Sequence, residues 1–302
     1  MGRERSRRTL TMPTAICALS MFALVVIGCA PSSTGRSSQQ EAPKAAAPLQ
    51  AVLVSTQLTP GRQRVAIGVL DRNTPVNDAR VRARAYRGSP TDPMASEADA
   101  LFKGEGLLGN GVYVAYLTFG AAGAWVLEIA AARGQDQAGI TQVPIKVLAA
   151  STTPATGQPA PVSRNLTRAD VPDVSYIDSG VPPNDMHEIS IADAIAQRRP
   201  ALIVFATPAF CTSAMCGPEV HAVQQLEPAY RERVAFIHVE IYQNFKADPS
   251  KRTFSPAVLE WRLQTEPWVF LVDASGIVRY AFEGPSATDE LVAALDAMLG
   301  AR

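Results

Sequence analysis

The chain has 302 residues, enough for about two domains of the usual ~100–200 residues. Its 28 basic and 28 acidic side chains balance to a formal net charge of zero, and 47% of its residues are hydrophobic. This composition is typical of globular domains, and it argues against a nucleic-acid partner, which would require a basic surface.

The first 29 residues have the layout of an export signal. An Arg-rich start, MGRERSRRTL, precedes the apolar run TAICALSMFALVVIG, and Cys29 follows directly. No later stretch approaches the roughly 18 apolar residues needed to cross a bilayer. The segment Val26–Cys29 resembles the lipobox of bacterial lipoproteins, and the alternative is an uncleaved signal anchor. The resemblance implies lipidation of Cys29 and anchoring on the outer face of the cytoplasmic membrane.

The cysteine count becomes informative once the signal is set aside. Of four cysteines, Cys17 would leave with the signal and Cys29 would carry lipid. Cys211 and Cys216 would then be the two thiols of the mature chain, in a compartment where disulfides persist. They could pair with each other, with a partner protein or with a metal.

Two regions of different character follow the signal. Residues 30–50 lack large apolar side chains and are rich in Ser, Ala, Pro and Gln, which predicts a disordered tether. Residues 51–148 contain short apolar or alternating runs separated by turn residues, for example GVYVAYLTF and AWVLEIAAA. About seven such strands predict an all-β, immunoglobulin-like sandwich. This stretch has no His and no catalytic constellation, which favours a binding or spacer module.

The segment AASTTPATGQPAPVSRN at residues 149–165 predicts a linker. The hydrophobic period of the sequence changes after it. Residues 166–302 alternate strand and helix patterns, beginning with a helix capped by Ser190 and the buried-type strand ALIVFA at 201–206. A hairpin at IVRYAF and the helical TDELVAALDAML close the chain. This order predicts an α/β domain with a mixed sheet and helices on both of its faces.

The order of elements over residues 170–300 resembles the thioredoxin fold. The stretches LIVFAT, TEPWVFLVD and VDASGIVRYAFEG carry the resemblance. It implies that Pro267 follows a cis peptide bond and lies against the active disulfide. It also implies that Phe210 and Trp268 shape a shallow apolar patch where a partner docks.

The cysteine spacing departs from the thioredoxin pattern, because C-x-x-x-x-C replaces C-x-x-C. Pro218 is tolerated only in a first helical turn, so we expect a helix to begin at Gly217 or Pro218. Cys216 would then sit near the N-cap, where the helix dipole favours a thiolate. On one regular helix the two Cα atoms would exceed the ~7 Å limit for a disulfide, so bond formation requires a non-helical loop from Cys211.

Two carboxylates are expected near the thiols. Glu219 follows Cys216 closely, Glu266 precedes Pro267, and no Lys or Arg lies between Arg199 and Arg231. A negative charge at ~4 Å is worth about 1 kcal/mol in water and ~4 kcal/mol at an effective dielectric of 20, so these groups would offset the helix dipole. The prediction is a thiol pKa near the ordinary value of about 8.5 and a reducing or inert pair.

The leading functional hypothesis is a membrane-tethered thiol–disulfide oxidoreductase that acts through Cys211 and Cys216. It resembles the thioredoxin-like reductases that serve cytochrome c maturation. Its partners would be extracytoplasmic protein thiols and disulfides and an upstream reductant, with no cofactor and no nucleic acid.

Three alternatives stay open on the sequence. TPAFCTSAMC resembles the cysteine loop of bacterioferritin-comigratory peroxiredoxins, which implies a peroxidase. Sco-type copper chaperones bind metal with two cysteines and a His, for which Cys211, Cys216 and His187 are the candidates. The third alternative is a binding module in which the pair is only a structural disulfide.

Overall fold

The computed structural model describes residues 48–300. The predicted signal, Cys29 and the predicted tether up to residue 47 lie outside this range. Within it, no helix is both long and apolar enough to pass through a bilayer.

The first part of the described chain is built on antiparallel strands. The strands are β1 (Gln50–Leu53), β2 (Gly61–Asp71), β3 (Thr74–Pro75), β4 (Arg80–Arg87), β5 (Met94–Lys103), β6 (Val112–Phe119), β7 (Gly123–Ala132) and β8 (Gly139–Val147). They form one eight-stranded sheet in the order β1-β2-β6-β5-β4-β7-β8, with β3 paired to β2. Strand β4 shows the alternation that gives this sheet one buried face. Val81, Ala83 and Ala85 are buried, while the arginines between them face outward.

This sheet curls until its two ends nearly meet. The Ala51 amide of β1 donates a hydrogen bond to Thr141 Oγ1 of β8 at 3.2 Å. Strand β5 links the two halves of the curled sheet, since it pairs with β4 up to Ala100 and with β6 from Leu101 onward. The interior is filled by apolar side chains from every long strand, including Ile67, Leu117, Phe119, Trp125, Leu127 and Ile129.

The predicted immunoglobulin-like sandwich is therefore wrong. A sandwich has two separate ladders, whereas here β5 joins both halves into one nearly closed, barrel-like sheet. No pattern in the sequence predicts β5, because MASEADALFK contains one buried residue, Ala100, and lacks an apolar run.

The second sheet holds the segment that contains the cysteines. Its strands are β9 (Ala201–Ala206), β10 (Ala235–Glu240), β13 (Trp268–Val272) and β14 (Val278–Glu283), in the order β10-β9-β13-β14. Strands β9 and β10 are parallel, and the other pairs are antiparallel. A separate two-stranded ladder joins β11 (Tyr242–Gln243) to β12 (Thr253–Phe254). The helices are α1 (Ile191–Ala196), α2 (Cys216–Tyr230), α3 (Pro256–Glu260) and α4 (Thr288–Leu299).

Helical cover of this sheet is uneven. Helices α2 and α4, of 15 and 12 residues, pack together on the face that carries Leu202, Val204 and Leu271. The opposite face meets α1 and α3, which have only six and five residues. The described chain is 36% strand and 19% helix, and a clear thioredoxin layout with helices on both faces is not formed. The predicted fold class is wrong in this respect too, because short apolar segments such as Ile191–Ala196 supply little more than one helical turn each.

Polar contacts tie the barrel-like sheet to the second sheet, and the described residues 48–300 belong to one compact unit. Glu283, at the end of β14, accepts hydrogen bonds from the Thr56 amide at 2.7 Å and the Gln57 amide at 3.0 Å. Arg64 donates to both carboxylate oxygens of Glu290 at 2.9 Å, and to the Pro285 carbonyl at 2.8 Å. Both side chains of this ion pair are almost excluded from solvent, with exposures of 11% and 6%.

The Arg64–Glu290 ion pair predicts a large stability loss on mutation. Arg64→Ala leaves the Glu290 carboxylate buried without its partner, so the free energy of unfolding should fall by about 3 kcal/mol. Urea denaturation followed by circular dichroism measures this loss.

Arg82 provides the matched control, because its ion pair with Asp99 is 47% exposed on the arginine side. Arg82→Ala should cost less than about 1 kcal/mol. Equal losses in the two variants would show that the Arg64 contact contributes no more than a surface pair.

Candidate functional site

The cysteines lie where β9 passes into α2. The Phe210 and Cys211 amides both donate to the Thr207 carbonyl, at 3.3 and 3.1 Å, which turns the chain directly after the strand. Ala214 has a left-handed φ of 57°, and the helix begins at Cys216 after Met215 at its N-cap. Pro218 is the third helical residue, a position where its missing N–H costs nothing. The predicted geometry, a non-helical loop leading from Cys211 to a cysteine at the helix start, is observed.

The two sulfurs are in contact but differ in exposure. Both cysteines are free thiols, Cys211 partly exposed and Cys216 fully buried. The Cys216 amide donates to Cys211 Sγ at 3.3 Å, and Ser213 Oγ lies at 3.3 Å from the same sulfur. Amides at a helix start have no partner within the helix, so the Cys216 amide is free to stabilise a negative charge on Cys211.

Cys211 is the acidic member of the pair. A hydrogen bond from the Cys216 thiol, helped by Ser213 and by the Cys216 and Met215 amides, lowers the pKa of Cys211 to about 5. Burial opposes this shift and is outweighed. The predicted ordinary thiol pKa is wrong, because donors that belong to the folded loop are invisible in the charge pattern of the sequence.

Cys216 behaves in the opposite way. Its hydrogen bond to Cys211 and its burial raise the pKa of Cys216 far above that of a free thiol. The expectation that the helix start favours a thiolate at Cys216 is wrong, since the helix amide points at the neighbouring sulfur instead. The site therefore holds one partly exposed cysteine with a lowered pKa and one buried cysteine with a raised pKa.

Glu266 and Pro267 directly precede β13, and Glu266 is close enough to Cys211 for their charges to interact. The Glu266–Pro267 bond is cis, as the resemblance implied. The strand register places Trp268 opposite Phe205, which puts Glu266 beside the start of the cysteine loop. Burial, and then the negative charge of Cys211, raise the pKa of Glu266. The predicted influence of Glu266 on the thiols has a structural basis.

The Glu219 carboxylate is bound by Ser286. This carboxylate is buried and accepts hydrogen bonds from the Ser286 amide at 2.8 Å and from Ser286 Oγ at 2.6 Å. Burial raises the pKa of Glu219 to about 7. Proximity in sequence was misleading here, because Glu219 lies on the first turn of α2 and points toward the segment before α4.

The two predicted docking residues, Trp268 and Phe210, lie in different environments in the fold. Trp268 is only 3% exposed, stacks on Phe270 and donates from Nε1 to Thr265 Oγ1 at 3.0 Å. Its predicted place in a surface patch is therefore wrong, because its ring belongs to the core on the face away from α2. Phe210 is partly exposed and lies 6.0 Å from Tyr242 and 5.5 Å from Phe245, measured between ring centroids.

A buried histidine cluster replaces the predicted metal set. His187 does not join the cysteines, because its Nε2 lies 3.2 Å from Asp178 Oδ2, and His238 lies 3.6 Å from the same oxygen. Asp178, His187 and His238 form the cluster of possible metal ligands found within residues 48–300. The Asn184 amide nitrogen lies 2.7 Å from Asp178 Oδ2 and 2.8 Å from His238 Nδ1 and links these two side chains. His187 Nδ1 is buried without a hydrogen-bond partner among the described residues. No motif in the sequence pointed to this cluster.

Comparisons with known proteins give little further guidance. No family model matches the chain, and no curated protein matches it. The crystal structure of the soluble domain of PmoD from Methylocystis sp. ATCC 49242 (Rockwell) is 12% identical, with a TM-score of 0.24, over 33% of this chain and 90% of its own. The crystal structure of StoA from Bacillus subtilis is 20% identical, with a TM-score of 0.29, over 40% of this chain and 95% of its own. Similarity at this level does not assign a function to this chain.

The thiol contact predicts a specific titration. Because only the thiolate reacts with iodoacetamide, alkylation of Cys211 should rise with pH through a midpoint near its pKa of about 5. Cys216→Ala removes the strongest donor and should move this midpoint upward by at least about one unit, while Cys216→Ser keeps a hydroxyl donor and should move it less. Mass spectrometry of native protein alkylated at each pH gives both midpoints.

Two glutamates test the assignment of charges around the sulfurs. Glu266→Gln removes a nearby negative charge and should lower the Cys211 midpoint, whereas Glu219→Gln should leave it unchanged. A wild-type midpoint near 8.5 would contradict the hydrogen-bonded thiolate.

Proposed function

We propose that this chain is a thiol–disulfide oxidoreductase in which Cys211 attacks and Cys216 resolves. The observation that carries the proposal is the asymmetry of the pair. Cys211 is partly exposed and has a pKa of about 5, so it is a thiolate at neutral pH and accessible to a partner. Cys216 is fully buried and stays protonated. A disulfide serving only as a structural link requires no such difference between its sulfurs.

The first step uses the exposed sulfur. The Cys211 thiolate attacks one sulfur of a partner disulfide, a new S–S bond forms, and the second partner sulfur leaves as a thiolate. The Cys216 amide stabilises the attacking charge in the free protein. Low thiol pKa also lowers intrinsic nucleophilicity, but nearly complete ionisation at neutral pH compensates for part of that loss.

The second step follows from the coupling between the sulfurs. The contact with Cys211 is the largest cause of the raised pKa of Cys216. Once Cys211 is in the mixed disulfide, its negative charge is gone, so the pKa of Cys216 falls. Cys216 then loses its proton and attacks Cys211 Sγ, which releases the second partner thiol and leaves a Cys211–Cys216 disulfide. The partner gains two electrons, and a thiol reductant must reduce the pair again.

The pKa values also affect the reduction potential of the cysteine pair. Stabilising the Cys211 thiolate stabilises the reduced pair, which raises its reduction potential. The pair is therefore better suited to exchange with partner thiols and disulfides than to a permanent structural bond, for which potentials lie below about −300 mV.

The setting of this activity is part of the proposal. The lipobox-like segment ending at Cys29 and the two remaining cysteines suit a protein exported and anchored by lipid on the outer face of the cytoplasmic membrane. There it would meet folded or folding proteins that contain disulfides, together with an upstream thiol reductant. No cofactor is required for the exchange.

The test is turnover of a protein disulfide. Reduced full-length protein should accelerate insulin reduction by dithiothreitol, and Cys211→Ser should lower the catalysed rate by at least about 100-fold, since no attacking thiolate remains. Cys216→Ser should instead accumulate a mixed disulfide at Cys211 that mass spectrometry detects.

A measured reduction potential would distinguish the proposed exchange from the purely structural alternative. Equilibration with glutathione or dithiothreitol buffers should give a value above about −300 mV. A lower potential, together with no insulin reduction, would mean that the pair is a structural disulfide.

A further inference from the structure

Phe210, the residue before the attacking cysteine, belongs to a group of four aromatic side chains that pack together. Phe210 packs against Tyr242 and Phe245, and Tyr242 stacks on Phe254 with 5.3 Å between ring centroids. We call Phe210, Tyr242, Phe245 and Phe254 the aromatic platform. Only Phe245 is fully buried, and Phe254 is 50% exposed, so the platform is a surface rather than part of the core.

An arginine lies across this surface. The guanidinium carbon of Arg252 is 5.0 Å from the ring centroid of Phe210 and 5.0 Å from that of Tyr242. Its Nη1 donates to the Pro249 carbonyl at 2.8 Å, which holds the planar group over the two rings. No carboxylate pairs with Arg252 within residues 48–300, and the residue is exposed. Its charge is therefore positioned by the rings and remains available to a partner.

The segment that carries Arg252 has an excess of positive charge. Residues 244–254 contain Lys246, Lys251 and Arg252 and one acidic residue, Asp248. Asp248 lies 3.5 Å from Lys251 Nζ and accepts the Ser250 amide at 3.0 Å, so it offsets Lys251. Lys246 donates to Ser175 Oγ at 2.5 Å. Glu266, directly before β13, is a carboxylate whose charge acts on the sulfurs.

The arrangement separates charge along the surface. Negative charge at Glu266 disfavours acidic residues directly beside an incoming disulfide. Positive charge at Arg252, next to Phe210, favours them a few residues away. An extended chain covers about 7–13 Å in two to four residues. Phe210, whose ring carries Arg252, is the residue next to Cys211 in the chain. Planar guanidinium groups also bind carboxylates through two parallel hydrogen bonds.

We propose that the aromatic platform and Arg252 dock an acidic segment of the partner protein, two to four residues from the half-cystine that Cys211 attacks. This inference rests on the proposed thiol–disulfide exchange and names the class of substrate. The partner's apolar side chains contact the exposed ring of Phe254, and its carboxylate pairs with Arg252. The Cys211 thiolate then attacks the adjacent disulfide, and the partner's other sulfur leaves as a thiolate.

The experiment compares peptides that differ only in charge. Two disulfide-bonded peptides carry three Glu or three Lys after the second cysteine, and their reduction by the reduced full chain is followed by acid quench and mass spectrometry. At low salt the Glu peptide should react at least about fivefold faster than the Lys peptide, the factor expected for one favourable surface charge contact. Raising the ionic strength to about 1 M, where the screening length is ~3 Å, should bring the ratio close to one.

Three variants locate the effect. Arg252→Gln should abolish the preference for the Glu peptide, and Arg252→Lys, which keeps the charge but loses the planar group, should retain part of it. Arg231→Gln is the matched control, because Arg231 is exposed and lies beyond the far end of the 15-residue helix α2, about 20 Å from its start. It should leave the preference unchanged. Each peptide rate is divided by the same protein's rate with dithiodipyridine, a small uncharged disulfide, so that any change in the reactivity of the thiolate itself cancels.

The outcomes separate the two proposals. Equal rates for the Glu and Lys peptides in the wild type, or a preference that survives Arg252→Gln, would overturn the acidic-partner inference while leaving thiol–disulfide exchange intact. Failure of every peptide and of dithiodipyridine to react would overturn the proposed function, and this inference with it.

Discussion

The contact between the two cysteines governs the chemistry that the rest of the structure makes possible. Cys216 is both the first residue of α2 and the donor, through its amide and its thiol, to Cys211 Sγ. Helix starts leave amides unpaired, and here one of them is used by a sulfur five residues earlier. The same contact depresses one thiol pKa and raises the other. A small change in the position of the helix start would therefore alter both thiols together.

The packing of α2 holds that helix start in place. Val220, Val223 and Leu226 bury one face of α2 against β9, and the Glu219 carboxylate is fixed by Ser286 at the segment before α4. A buried carboxylate with a raised pKa is costly unless it is hydrogen-bonded, and two donors meet this requirement. Glu219 thus serves the position of the helix rather than the charge of the sulfurs.

The barrel-like sheet is connected to the site through polar groups. Glu283 Oε1 accepts hydrogen bonds from Thr56 Oγ1 and Thr265 Oγ1, and the Trp268 indole donates to the same threonine. Thr265 is next to Glu266 and close to the cis bond before Pro267. A continuous path of hydrogen bonds therefore leads from the first sheet to the segment that borders the thiols. This path connects the β-rich part of the chain to the segment before β13, a connection that composition alone did not suggest.

Local patterns in the sequence determined the elements that depend on local physics. The strand at 201–206, the cap at Ser190 and the cysteine at a helix start before Pro218 all follow from burial periodicity, capping and the geometry of proline. The sheet topology, the orientation of Glu219, the burial of Trp268 and the split between the thiol pKa values were decided only by tertiary structure. Each of these depends on which residues the fold brings into contact. Strand β5 pairs with two different strands, Ser286 binds Glu219, Phe270 stacks on Trp268, and the Cys216 amide binds the Cys211 sulfur. Sequence spacing specifies neighbours along the chain, and solvation and hydrogen bonding in the folded state are set by neighbours in space.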